Sequence, residues 1–165
     1  METKDINSLI ADLNRDDVIT CQKARRALVA IGHEAVPSLV EALGSRKHWV
    51  RWEAAKALAQ IADPTATTAL LKALEDKEFD VRWLAAEGLT SIGRKAVVPL
   101  LKALIDNPES TWLHEGAHHV LHDMRRGDLD ETLKPVMKSL EDFEPSVEVP
   151  LAASKALDIL RAKAK

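Results

Sequence analysis

Three stretches of the chain superpose on one another: "TCQKARRALVAIG" (20–32), "VRWEAAKALAQIA" (50–62) and "VRWLAAEGLTSIG" (81–93). Ala24, Ala54 and Ala85 share one position, as do Leu28, Leu58 and Leu89, and then Ile31, Ile61 and Ile92, at intervals of 30 and 31 residues. The pieces between them match as well: "AVPSLVEAL" (35–43), "TTALLKAL" (67–74) and "VVPLLKAL" (97–104). A period of this length restricts the chain to an array of small units. None can bury its apolar face alone, so each must stack on its neighbours.

The units read as helices. Val81, Ala85, Gly88, Leu89 and Ile92 follow the spacing of one apolar helical stripe. No run of alternating apolar and polar residues is long enough for a strand. Gly32 and Gly93 stand where a left-handed helix cap is needed, and Pro37 and Pro99 fall early in the helices that follow. "WLHEGAHHVLHDM" (112–124) is the fourth unit, with Ala117 on Ala85 and Leu121 on Leu89, and its partner helix is "LDETLKPVMKSL". "VPLAASKALDIL" is the fifth, after a spacing stretched to 36 residues. The stretch "EDFEPSVEVP" (141–150) is expected to end the regular array.

The expected architecture is all-α: a right-handed α-solenoid of about five antiparallel helix pairs, forming one repeat domain over 1–165. Inner helices are expected near 18–31, 48–62, 81–92, 112–125 and 148–162, and outer helices near 5–13, 34–43, 65–75, 95–106 and 130–141. The pattern resembles the HEAT repeat in its bacterial phycobilin-lyase-like form, through the Val-Arg-x-x-Ala-Ala-x-x-Leu core of "WVRWEAAKALAQIADPTATTALLKAL" and "DVRWLAAEGLTSIGRKAVVPLLKAL". The resemblance implies that the Val-Arg helices line the concave face. It says little about function, because this repeat serves scaffolds, adaptors and a few enzymes alike.

Composition narrows the classes further. No run of about 18 apolar residues is present, and the start "METKDINSLI" does not read as a signal peptide. The one cysteine, Cys21, excludes an internal disulfide, and a cytoplasmic protein is expected. A net charge of −3 argues against a nucleic-acid partner.

With the Val81 stripe buried, Trp83 points the opposite way. The equivalent positions across the units place Arg25, Arg26, Trp52, Lys56, Trp83, Glu87, Glu115, His118, His119 and His122 on the concave face. Ala55 and Ala86 beside the two tryptophans leave room for a partner, or the indoles simply fill the gap between inner helices. Arg51 and Arg82 are expected to pair with acidic residues of the preceding turn, Glu75 and Asp76 being available. Trp49 and Trp112 precede the first turns of their helices, as hydrophobic staples do.

The histidine-rich fourth helix raises a metal question. His114-Glu115-Gly116-Ala117-His118 fits His-Glu-x-x-His, but the repeat register explains Gly116 and Ala117 as packing residues, and that protease fold needs a sheet. HEAT-like deoxyhypusine hydroxylases use several His-Glu pairs after Val-Arg; here Trp52-Glu53 and Trp83-Leu84 stand in those places. What remains is a metal set of His114, His118 and His122, completed by Glu115 or Glu87, against the plainer reading of a solvated polar face.

The functional expectation is a non-enzymatic scaffold that holds a segment of another protein on the concave face, with no cofactor and no membrane. The alternatives are a bilin-lyase-like chromophore-handling subunit, a metal-binding HEAT-like enzyme and a HEAT-like DNA-binding protein.

Overall fold

The computed structural model describes residues 5–164. Among these the chain forms ten α-helices and no strand. It divides into two compact units, Met1–Ile92 and Gly93–Lys165.

The first unit holds α1 (Ile6–Asp12), α2 (Val18–Ile31), α3 (Val36–Ala42), α4 (His48–Ile61), α5 (Thr67–Ala73) and α6 (Phe79–Ile92). They pair as α1 with α2, α3 with α4 and α5 with α6, and α2, α4 and α6 lie side by side. The inner helices agree with the repeat register, except that α6 starts at Phe79, two residues before Val81. The outer helices α3 and α5 are shorter than expected, because short 3-10 turns, Gly32–Ala35 and Pro64–Ala66, lead into them. The recurring leucines Leu28, Leu58 and Leu89 are fully buried, as are Leu39, Leu70 and Leu74 of the outer layer. Gly88 sits where a Cβ would lie 2.9 Å from Leu70 Cδ1, so any larger residue there would require the Leu70 side chain of α5 to shift.

Local chemistry sets the helix ends. Asp17 caps α2 by accepting from the Ile19 and Thr20 amides. Gly32 closes α2 at φ 74° and ψ −132°, outside the left-handed helical region expected of its cap, while Ala62 adopts that region in the same slot after α4, at φ 54° and ψ 34°.

The second unit holds α7 (Arg94–Asp106), α8 (Thr111–Met124), α9 (Asp130–Leu140) and α10 (Pro145–Lys163). Ser110 caps α8 through the Leu113 amide at 3.2 Å. Gly93, with φ 74°, turns directly into α7, so Pro99 falls inside that helix rather than at its start, as Pro135 does in α9. α10 begins within the stretch 141–150 and carries Pro150 inside.

The fifth pair departs from the register. Stacking of equivalent inner helices would set α10 beside α8. Instead α10 packs on α7 and α9, and α8 packs on α7 and α9. The stretched spacing gives the chain freedom to turn the pair, and polar ties hold it there. Arg94 forks onto Asp128 with two bonds of 2.7 Å, and Lys163 Nζ reaches Thr132 Oγ1 at 3.4 Å.

Candidate functional site

One slot of the repeat performs the same task in three helices. Cys21, Arg51 and Arg82 are equivalent, and each donates to the carbonyl six residues earlier, in the turn entering its helix. Cys21 Sγ reaches Arg15 O at 3.2 Å, Arg51 Nη1 reaches Ser45 O at 3.0 Å, and Arg82 Nη1 reaches Asp76 O at 2.8 Å. Those carbonyls follow the end of an outer helix and need a donor. The Cys21 thiol is buried, and its pKa is pushed up by burial and by nearby Glu53, which disfavours the thiolate. Arg51 also forks onto Asp76, but Asp76 belongs to the turn after α5, not to the preceding turn that the sequence suggested. His114 occupies this slot in α8. It is buried, and its Nε2 has no hydrogen-bond partner among the described residues.

The next slot inward corrects a site residue. Arg25 is only 7% exposed, so it displays nothing to a partner. Its Nε donates to Glu53 at 2.6 Å and its Nη1 to Gln60 at 3.0 Å. The equivalent residues on α4 and α6 are Ala55 and Ala86, both buried. The inner helices close over these alanines, which therefore leave no room for a partner.

The aromatic slot behaves differently. Trp83 is 47% exposed and touches Phe79, with ring centroids 6.3 Å apart. Trp52 is half-buried, with Lys56 Nζ 4.3 Å from its ring centroid. Arg26 is exposed, and Glu87 is half-buried. Trp49 is not a buried staple: it is 42% exposed, with Lys47 Nζ 5.0 Å from its ring. Trp112 of the second unit is equally exposed. Arg82 lies 5.6 Å from the Phe79 ring, so Trp49, Trp52 and Phe79 each carry a cation.

Trp49 and Trp52 also wall a cavity of about 380 Å³ inside the first unit. Val18, Cys21, Glu53, Arg15 and Asp16 complete its lining, and of these Cys21 and Glu53 are buried. The aromatic pattern brought Trp52 and Trp83 to view in the sequence. The cavity was not visible there, because Trp49 reads as a staple and Glu53 as a helix-face carboxylate.

In the second unit the histidines do not converge. Successive members of an i, i+4 column drift by about 40° around a helix. His114 is therefore buried, His118 half-exposed and His122 exposed. His118 Nε2 meets Glu141 at 2.9 Å, and His122 Nδ1 meets Asp123 at 3.2 Å, while the two rings stack at 6.5 Å. His119 is half-buried and Glu115 exposed. Among the described residues no group of three or more His, Cys, Asp or Glu is placed to hold a metal ion. Burial of His114 sets it apart from the stacked His118 and His122 rings.

The family model of HEAT repeats matches residues 6–81 and 67–157, and the chain belongs to that family. A chain from the complex of CpcE and CpcF of phycocyanin lyase from Nostoc sp. PCC7120 is similar over 92% of this chain and 96% of its own, at 26% identity and a TM-score of 0.62. An engineered protein shares the fold over 95% of this chain and 81% of its own, at 23% identity and a TM-score of 0.50. No curated protein was found to match. The fold is an all-α solenoid of HEAT-like repeats, as the sequence pattern implied. No helix among the described residues is long and apolar enough to cross a membrane.

Proposed function

We propose that this protein is a non-enzymatic scaffold that binds a segment of a partner protein on the exposed face of its inner helices. The observation that carries this reading is a row of exposed apolar side chains at the starts of α2, α4 and α6: Val18, Ile19, Trp49, Phe79 and Trp83. Apolar groups gathered in this way on a repeat array mark a surface that a partner covers. Lys47, Lys56 and Arg82 over the rings add positive charge to the row, which suits a partner segment with acidic flanks. The similar Nostoc chain is itself part of a two-protein complex, which supports the same use of the fold.

A second reading, a lyase-like subunit that handles a chromophore, has the likeness to phycocyanin lyase in its favour. The cavity beside Trp49 and Trp52 would be the place for it.

The test is affinity capture of the partner from a cell extract with the wild type, followed by direct binding to a Trp52→Ala, Trp83→Ala double variant. Circular dichroism establishes that the variant is folded. Affinity is expected to fall by at least tenfold, since aromatic anchors dominate such interfaces. Unchanged affinity in a folded double variant would refute the assigned surface.

A further inference from the structure

We infer that the cavity between α2 and α4 is an anchor socket for one neutral aromatic side chain that carries a hydrogen-bond donor, the indole of a Trp or the phenol of a Tyr on the partner segment. The inference rests on the scaffold reading and adds to it the chemistry of the residue that docks.

Three charged residues, Arg15, Asp16 and Glu53, line the socket beside its apolar wall, and of these only Glu53 is buried. Glu53 lines it and is only 5% exposed. Its Oε2 accepts from Arg25 Nε at 2.6 Å, and no described residue donates to its Oε1. A carboxylate can accept several hydrogen bonds, and an occupant that covers Oε1 displaces the water there and must supply a donor in its place, since an acceptor buried without one is costly. Because Arg25 already balances its charge, Glu53 lacks a donor and not a counter-ion. The Cys21 thiol in the same wall is turned towards the Arg15 carbonyl at 3.2 Å.

The walls narrow the occupant further. Trp49, Trp52 and Val18 offer flat and aliphatic surfaces that suit an aromatic ring. The ammonium groups of Lys47 and Lys56 already lie over the two indoles, at 5.0 and 4.3 Å from the ring centroids, and repel a further cation. An amine is thereby disfavoured, against the pull of the exposed Asp16 carboxylate, the Glu53 carboxylate being already balanced by Arg25. A volume of about 380 Å³ takes the ring of such a side chain together with neighbouring atoms of the segment that carries it.

The experiment titrates the full-length protein with indole and with benzothiophene, which has the same shape but no N–H. It follows the side-chain N–H signals of Trp49 and Trp52 by NMR. Indole is expected to shift both signals saturably and to bind about tenfold more tightly than benzothiophene, because a site built around an acceptor rejects a ligand that lacks the donor. Trp49→Ala, at an exposed position that spares folding, is expected to weaken indole about tenfold. N-acetyl-tryptophanamide should bind as indole does. No saturable shift with indole, or equal binding of benzothiophene, would overturn the inference. Binding of indole but not of N-acetyl-tryptophanamide would overturn the partner-anchor assignment and point to a free small molecule. The partner assay with Trp52→Ala and Trp83→Ala stands apart from these titrations, so a captured partner with an unresponsive socket rejects the socket alone.

Discussion

Arg51 on α4 grips Asp76, in the turn before α6, with two bonds: Nε to Oδ2 at 2.6 Å and Nη2 to Oδ1 at 3.0 Å. The same guanidinium donates to Ser45 O, and Asp76 Oδ1 also accepts the Glu78 amide at 2.9 Å. One guanidinium therefore ties the outer-to-inner turns of two successive repeats of the first unit together. Burial alone would raise the Asp76 pKa, but the bonds from Arg51 and Glu78 and the Arg51 charge outweigh it and bring it below the usual carboxylate value.

Two outcomes follow for this fork. Arg51→Lys keeps the charge and loses the fork, and is expected to cost about 1–3 kcal/mol in urea unfolding. Because the folded pKa of Asp76 is depressed, its contribution is present above the unfolded value of about 3.9 and is lost as pH falls through the lower folded value. The stability difference between wild type and Asp76→Asn should accordingly shrink as the pH drops below about 4. A difference that stays constant down to acid unfolding would contradict the assignment.

The Arg25–Glu53 pair should show the asymmetry of a buried ion pair. Glu53→Ala strands the Arg25 charge and is expected to cost about 3–5 kcal/mol. Replacing both partners, Arg25→Met with Glu53→Leu, should recover most of that loss. A double-mutant cycle by chemical denaturation measures this, and additive losses would show that the two residues do not depend on each other.

His114 is expected to make the second unit acid-sensitive. Burial lowers its pKa below the ordinary value of 6.5, against a smaller upward pull from Glu109. The folded state thus disfavours the proton that the unfolded chain accepts. Stability is present above the unfolded pKa and declines as pH falls below about 6.5. His114→Leu should flatten this part of the wild-type profile between about pH 7.5 and pH 5, read by denaturant midpoints. A parallel decline in both proteins would exclude His114 as the source.

Ala62 is the one described non-glycine residue at positive φ, 54°, in the slot that Gly32 and Gly93 hold in the neighbouring repeats. A left-handed conformation costs a residue with a Cβ about 1 kcal/mol. Ala62→Gly should therefore raise stability by roughly 0.5–1 kcal/mol, less any gain in unfolded-chain entropy. A fall in the thermal midpoint would show that the Ala62 methyl contributes packing that outweighs the strain.

Repetition makes much of the fold legible in the order of the amino acids. Leu28, Leu58 and Leu89 recur at helical spacing, and only a stack of helix pairs buries all three rows. The alignment of the repeats also held a clue to Arg25. Its slot carries Ala55 and Ala86 in the next two repeats, and positions filled by alanine between packed helices are buried. The partner of Arg25 was less visible, because Glu53 lies 28 residues away and becomes a neighbour only when α2 and α4 stack.

The sequence by itself determined the all-α repeat, the inner helices and the outward aspect of Trp83, because these follow from helical periodicity and unit-to-unit register. Tertiary structure alone decided the rest. It turned α10 onto α7, joined Arg51 to the following turn, walled a cavity with Trp49, Trp52 and Glu53, and spread His114, His118 and His122 from core to solvent. Each depends on which side chains meet across separate helices, and one-dimensional spacing carries no term for that distance.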